Sequence, residues 1–210
     1  MIQIENVEVF GFEAAVRGMR NPLNSWEKSD SVFAGWDSGS PIIGKNDLKL
    51  MQQLCKAGSD HRKFLRMINV TADITAPLYW WKEYDTYKVG TVANSCSTMH
   101  TIHTKEFTID DFSNEYLSDE WLACLVDTII PLLNRARIEY IETKSKIYWL
   151  QMIQLLPSSY NQKRTISLNY EVLLNMYHAR KNHKLHEWVQ FCEWIKSLPW
   201  FAKICLMEVE

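Results

Sequence analysis

HRKFLRMINVTADITAPLYWWKEYDTYKVGTVANSCSTMH, residues 61–100, is the stretch that decides the fold. Within it Ile68, Val70, Ala72 and Ile74 alternate with Asn69, Thr71 and Asp73, the period of a strand with one buried face. Before the strand, Asp60 is placed to cap a short helix carrying His61 and Leu65. After it, Pro77 opens a helix from Leu78 to about Tyr87, because a proline in the first turn costs no hydrogen bond. That helix carries Tyr79, Trp80, Trp81, Tyr84 and Tyr87. From Gly90 to Ser97 small and polar residues break the helical period, giving a loop able to set backbone N–H groups around a ligand.

Upstream, Ile2, Ile4, Val7 and Val9 give a first strand whose phase slips near Glu5-Asn6. Residues 18–44 are rich in Gly, Asn, Ser, Asp and Pro around Trp26, Phe33 and Trp36, which reads as a long ordered loop. Asn46 or Asp47 is a cap for a helix through Ala57, with Leu48, Met51, Leu54 and Cys55 on one face and Gly58 as its stop. Downstream the pattern is mostly helical. One helix starts at Ser118 or Asp119 and is interrupted or bent at Pro131, and a second, polar-faced helix continues to Leu156. A third starts at Ser167 or Asn169 and runs to about Lys181, and the last spans Leu185 to Leu198.

The 210 residues suit one domain over 1–210, and 47% hydrophobic residues with nine Trp supply a large core. A net charge of −2 gives no electrostatic case for a nucleic-acid or membrane surface. Five cysteines without a C-x-x-C pair indicate reduced thiols and a cytoplasmic protein. Met1 leads into an alternating run, so no signal peptide is expected, and the longest apolar stretch, Trp121 to Leu133, contains Asp127 and is too short to span a bilayer. His178, His183 and His186 lack a Cys or carboxylate to complete a ligand set, so no metal is expected. No P-loop, dinucleotide fingerprint or nucleophile elbow is present.

Residues 61–100 resemble the flavin-dependent thymidylate synthases, whose block runs H-x-S-x-x-E-H-x-x-F-x-F-x-I and on to R-H-R-x7-S-x-R. His61 falls on the leading His, Ile74 on the strand Ile and Ser97 on the Ser, while the triplet reads Tyr87-Lys88-Val89 and the last Arg is Met99. A second block of the family, Leu-Pro followed by N-A-R-S-L-x-N-F-x-x-L-R, is matched by Leu156-Pro157, Asn169, Leu173, Asn175 and Arg180. There Glu171 replaces an arginine, and the family's E-I-R falls on Trp188-Val189-Gln190. The resemblance implies an α+β fold, a small mostly antiparallel sheet packed with several helices. It also implies a homotetramer with shared sites for FAD, dUMP, NADPH and methylenetetrahydrofolate. It assigns His61, Lys88, Asn94 and Asn169 to the cofactor and Tyr87, Ser97, His100 and Arg180 to a nucleotide-like substrate, and singles out no catalytic residue.

The cations that would hold a phosphate are largely gone. If each charge-assisted bond contributes about 1.5–3 kcal/mol, losing several lowers nucleotide affinity by orders of magnitude unless other residues replace them. Structural readings stand beside the functional ones. His61 contacts a phosphate or sits on the surface, and Lys88 does the same or ends a helix. Ser97 and Asn94 line a substrate loop or belong to an ordinary turn. Asn169 meets the flavin or caps its helix, and Arg180 is an active-site or a surface residue. The aromatic run stacks on a ring system or fills the core. The expected function is a thymidylate synthase-like flavoprotein binding FAD and a nucleotide at a subunit interface, with dUMP methylation in question. The alternatives are a non-catalytic scaffold on the same fold and an enzyme acting on another nucleotide-like ligand.

Overall fold

The alternation at residues 69–77 produces the most buried strand of a four-stranded antiparallel sheet in the computed structural model, which describes residues 2–33 and 41–208. Strands β1 (Gln3–Phe10), β2 (Asn69–Pro77), β3 (Val92–Ser95) and β4 (Asn161–Asn169) lie in the order β1-β2-β4-β3. Val70, Ala72, Ile74 and Ala76 all face the interior of the fold, which is what the period of two demands. The slip in β1 is a residue in the left-handed region, Asn6 at φ 50°, a conformation Asn tolerates better than most. The α+β class and the antiparallel sheet expected from the sequence are therefore what the chain forms.

The chain forms two compact units. The first comprises residues 1–5, 73–87 and 93–165, and the second residues 6–72, 88–92 and 166–210. In the first, α3 (Leu78–Tyr84) buries Trp80, Trp81 and Tyr84, so the aromatic run fills the core. The helix ends earlier than its spacing suggests, with Tyr87 in the turn beyond it. A single short turn, α4 (Thr98–Thr101), follows β3. Then α5 (Asp119–Cys124) passes through a π-helical turn, Leu125–Ile129, into α6 (Ile130–Thr143). The wide turn sits just ahead of Pro131, where an ordinary α-turn would set the proline ring against the carbonyl four residues back at about 3 kcal/mol. Instead of running on to Leu156, the chain reverses at Lys144, left-handed at φ 57°, and α7 (Lys146–Leu155) returns along α6. Ile102, Phe107, Phe112, Leu133 and Met152 fill the cluster between these helices and the loop before them.

In the second unit the region read as a long loop begins inside a helix, α1 (Phe12–Arg20). Phe12, Ala15, Val16 and Met19 are buried, and the Phe12 ring meets Tyr170 edge-on at 5.8 Å. Gly11, at φ 98°, lets the backbone pass against the Met67 carbonyl, where a Cβ would collide. Trp36 lies outside the described residues, and Trp26 is exposed. Asp47 does not cap α2 (Lys45–Lys56). The Asp30 carboxylate accepts from the first-turn amides of Asn46 and Asp47, and Asp47 is itself buried on Arg20 at 2.6 Å. No helix carries His61, which lies in the turn before a 3-10 segment, Lys63–Met67. The unit closes with α8 (Tyr170–Arg180), α9 (His186–Ser197) and a core of Tyr170, Trp188, Phe191 and Phe201.

Candidate functional site

In the first unit, the segment read as a ligand-binding loop is partly edge strand β3. At its end Cys96 N donates to Lys163 O at 3.0 Å, and Gln162 Nε2 donates to Cys96 O at 2.7 Å. Trp81 Nε1 holds the Gln162 carbonyl from below at 2.8 Å. Ser97 then caps α4, its Oγ accepting from His100 N at 3.0 Å. Together these residues shape a cavity of about 310 Å³ lined by Ser97, Thr101, Lys105, Asp111, Tyr160 and Gln162, with further threonines at its rim.

Both lysines that line this cavity are paired with carboxylates, and Asp110 adds a further carboxylate to the lining. Lys105 forms an ion pair with Asp111, whose hydrogen bond raises the pKa of the amine against the opposing effect of burial. Burial raises the Tyr160 hydroxyl, and the Asp111 charge adds to it. Lys163 is held by Glu5 at 3.0 Å and Asp73 at 3.7 Å. The rest of the lining combines hydroxyls and amides with Asp110, Cys96, Ile102 and Phe107, which suits an uncharged polar ligand or ring edge better than a phosphate.

The other side of α4 borders a second cavity of about 320 Å³, lined by Met99, His100, His103, Tyr140, Lys144, Lys146 and Trp149. Four of the seven are basic or imidazole side chains, and none is a carboxylate.

In the second unit, Asn169 caps α8, its Oδ1 accepting from Val172 N at 3.1 Å. The segment bearing Lys88 passes the same helix end: a Cβ on Gly90, at φ 75°, would lie 3.5 Å from Asn169 Nδ2. Lys88 is exposed. Glu171, in place of the family's arginine, receives a two-pronged ion pair from Arg62, Nε to Oε2 at 2.8 Å and Nη2 to Oε1 at 3.0 Å. His61 is exposed beside Arg62, its backbone N donating to Gly58 O. The Arg180 guanidinium lies over Trp188, 4.7 Å from the ring centre. Burial, with help from Lys181 and Arg62, lowers the His178 pKa. No group of three or more His, Cys, Asp or Glu among the described residues is placed to hold a metal ion, and no helix among them is long and apolar enough to cross a membrane.

Of the residues singled out from sequence, Ser97 and His100 are joined by a hydrogen bond, with Asn94 exposed three residues earlier on β3 and Tyr87 half-buried after α3. Asn169 caps the start of α8, with Gly90, two residues after Lys88, passing beside it, whereas Arg180 stands at the far end of the helix against Trp188. Sequence reading missed Arg62, Lys105, Asp111, Tyr160, Gln162 and the Lys144–Trp149 group. The alternation of Gln162, Arg164, Ile166 and Leu168 was a signal for β4 that could have pointed to Gln162.

No protein-family model matches the sequence, and no curated protein matches it. Solved structures do. Thymidylate synthase X (ThyX) from Helicobacter pylori, crystallised with FAD and dUMP, superposes with a TM-score of 0.70 at 17% identity, over 98% of this chain and 97% of that one. A second crystal structure of the Helicobacter pylori flavin-dependent thymidylate synthase, also complexed with FAD and dUMP, gives 0.69 at 17% identity over 97% of each chain. Over nearly its whole length, then, this chain has the fold of the flavin-dependent thymidylate synthases.

Proposed function

We propose that the protein binds FAD and a nucleotide-like ligand within a homo-oligomer, a tetramer by analogy of fold, and that it does not methylate dUMP in the manner of its structural relatives. The observation that carries this reading is the near-complete superposition on an enzyme crystallised with FAD and dUMP. The residues present suit a flavin dinucleotide. Exposed Lys88 and His61 offer cationic or donor groups for a diphosphate, and Asn169 Nδ2 is an amide donor beside the Lys88 segment. When bound, the flavin would supply hydride transfer, and the protein would bind and orient. Exposed Trp121, Leu132, Ile138, Ile141, Ile147 and Leu155 on α5 to α7 support burial of apolar side chains against another copy. Five free thiols favour the cytoplasm, and NADPH is the natural reductant to try.

Against dUMP chemistry stand Met99 and Glu171 at positions that carry arginine in the family, and lysines at the Ser97 cavity that are already neutralised. The same features favour a second reading, a non-catalytic scaffold. Titration of the oligomeric protein with FAD separates the two, with flavin fluorescence quenching as the signal. Binding that Lys88→Ala weakens supports the first reading, and protein with no FAD affinity leaves the second. Turnover of dUMP to dTMP with NADPH oxidation would overturn the claim that this activity is lost.

A further inference from the structure

We propose that Cys55 and Cys205 form a reversible disulfide that fastens a π-helical turn of the second unit, Ala202–Leu206, to the end of α2, made by a hydroperoxide and broken by a dithiol. Cys55 lies in the last turn of α2, and Cys205 lies within the π-helical turn. The two elements pack directly on one another. One helical turn before Cys55, Gln52 Nε2 donates to Lys203 O at 2.9 Å, a bond between residues 151 apart in sequence that sets the two backbones side by side. The Cys205 thiol is itself hydrogen-bonded to Cys55. Sulfurs already in contact need only a small side-chain rotation to bond covalently.

Burial separates this pair from the other thiols. Cys96 and Cys124 are exposed in the first unit, and Cys192, only 1% exposed, is sealed in the core beside α9. Cys55 and Cys205 each keep 7%. Met207, left-handed at φ 60°, turns the chain back so that Glu208 N donates to Ala202 O at 3.3 Å, and Glu208 meets Lys196 at 3.7 Å. Glu208 is half-exposed, so this ion pair holds the turn weakly, and local opening admits a small oxidant. Burial first, and then the hydrogen bond with Cys55, raise the Cys205 thiol and keep its proton in place, which suits the second, resolving thiol and leaves Cys55 as the attacking sulfur. The Cys55 thiolate attacks a peroxide oxygen: an S–O bond forms, the O–O bond breaks, and the leaving hydroxide or alkoxide takes up the proton that Cys55 gave to water. Cys205 then attacks the sulfenic sulfur. The S–S bond forms, the S–O bond breaks, and the departing hydroxide leaves as water with the Cys205 proton. Two electrons pass from the thiols to the peroxide, and a dithiol reverses the step by two exchanges that oxidise it to its own disulfide. The proposal does not depend on flavin or nucleotide binding.

Treatment of the full chain with hydrogen peroxide, followed by alkylation in denaturant and peptide mapping, tests it. A Cys96→Ser/Cys124→Ser variant, treated beside the wild type, removes cross-linking through exposed thiols. Both proteins should yield a linked peptide joining Cys55 to Cys205 that dithiothreitol separates, at a rate independent of protein concentration. The oxidised form should melt at least about 5 °C above the reduced form, because the link closes a long loop, and dithiothreitol should reverse the shift. In Cys205→Ser, Cys55 is left as a sulfenic acid and should be captured by dimedone. The wild-type map is a readout independent of any variant's folding. The proposal is overturned if Cys55 and Cys205 are both still alkylated after peroxide treatment, if Cys205 links to Cys192 instead, if the oxidised and reduced forms melt alike, or if Cys55 of the Cys205→Ser variant captures no dimedone. Loss of FAD affinity would count against the proposed function and leave this disulfide standing.

Discussion

Replacing Glu171 with alanine isolates the change that most separates this chain from the sequence pattern of its structural relatives. The carboxylate holds both prongs of the Arg62 guanidinium, at 2.8 and 3.0 Å, with side chains only 8% and 16% exposed. Removing one partner of a buried pair costs about 3–5 kcal/mol, because the other charge is left desolvated. Arg62 keeps Asn175 Oδ1 at 3.3 Å and a little solvent, so the low end, about 3 kcal/mol, is expected. For a chain of this size that lowers Tm by roughly 6–12 °C. Urea denaturation of the wild type, Glu171→Ala, Arg62→Ala and the double variant gives the coupling directly, expected at about 2 kcal/mol. Glu171→Arg, which restores the family's cation, should be less stable than the alanine variant, since it sets like charge on Arg62. A loss below about 1 kcal/mol with no coupling would refute the claim that the Arg62–Glu171 pair holds the fold together.

Asp47→Asn should cost about 3–5 kcal/mol and expose residues 25–31 to protease, since this buried carboxylate accepts from Arg20, Ser29 and Ser31; an unchanged urea midpoint would contradict it. Burial alone would raise the Asp47 pKa, but the hydrogen bonds from Ser31, Ser29 and Arg20 outweigh it and hold the carboxyl below its ordinary value. Its stabilisation is therefore present at neutral pH and lost as pH falls below about 4, a window acid titration of wild type against Asp47→Asn will reveal. At the alkaline end the sign reverses. Burial pushes the Cys192 thiol up to about 11 and raises the Cys205 thiol and the Tyr84 and Tyr170 hydroxyls, so these groups stabilise below their unfolded pKa values. Stability should fall as pH rises above about 9, by up to about 1.4 kcal/mol per pH unit for each titrating group, and a flat profile to pH 11 would contradict it. Gly11→Ala should destabilise by about 2 kcal/mol or more through its φ of 98° and collision with the Met67 carbonyl, measured by the same denaturation.

Local signals carried much of the fold. β2 could be read from its period, the Asn169 cap from its residue type and the break in the helix from Pro131, because each is settled by residues a few positions apart. α1 was hidden by Gly11 and Gly18, glycines that serve close passage against Met67, the first just ahead of the helix and the second within it. β3 is four exposed residues at a sheet edge and has no buried face to print a period. The site was harder to read, because its chemistry lies in long-range pairs. Arg62 meets Glu171 across 109 residues, and nothing near Lys105 or Lys163 in sequence announces that their charges are neutralised in the cavity. Spacing preserved the scaffold's outline, while the loss of arginines gave the direction of change without its new partners.

The most direct test of the central claim, a flavin-binding scaffold with an altered nucleotide site, is FAD titration of the full chain beside an assay for dUMP-dependent oxidation of NADPH. The account predicts saturable FAD binding that Lys88→Ala weakens about tenfold, the loss of one charge-assisted contact, with no conversion of dUMP to dTMP. Absence of FAD binding, or efficient dTMP formation, would contradict it.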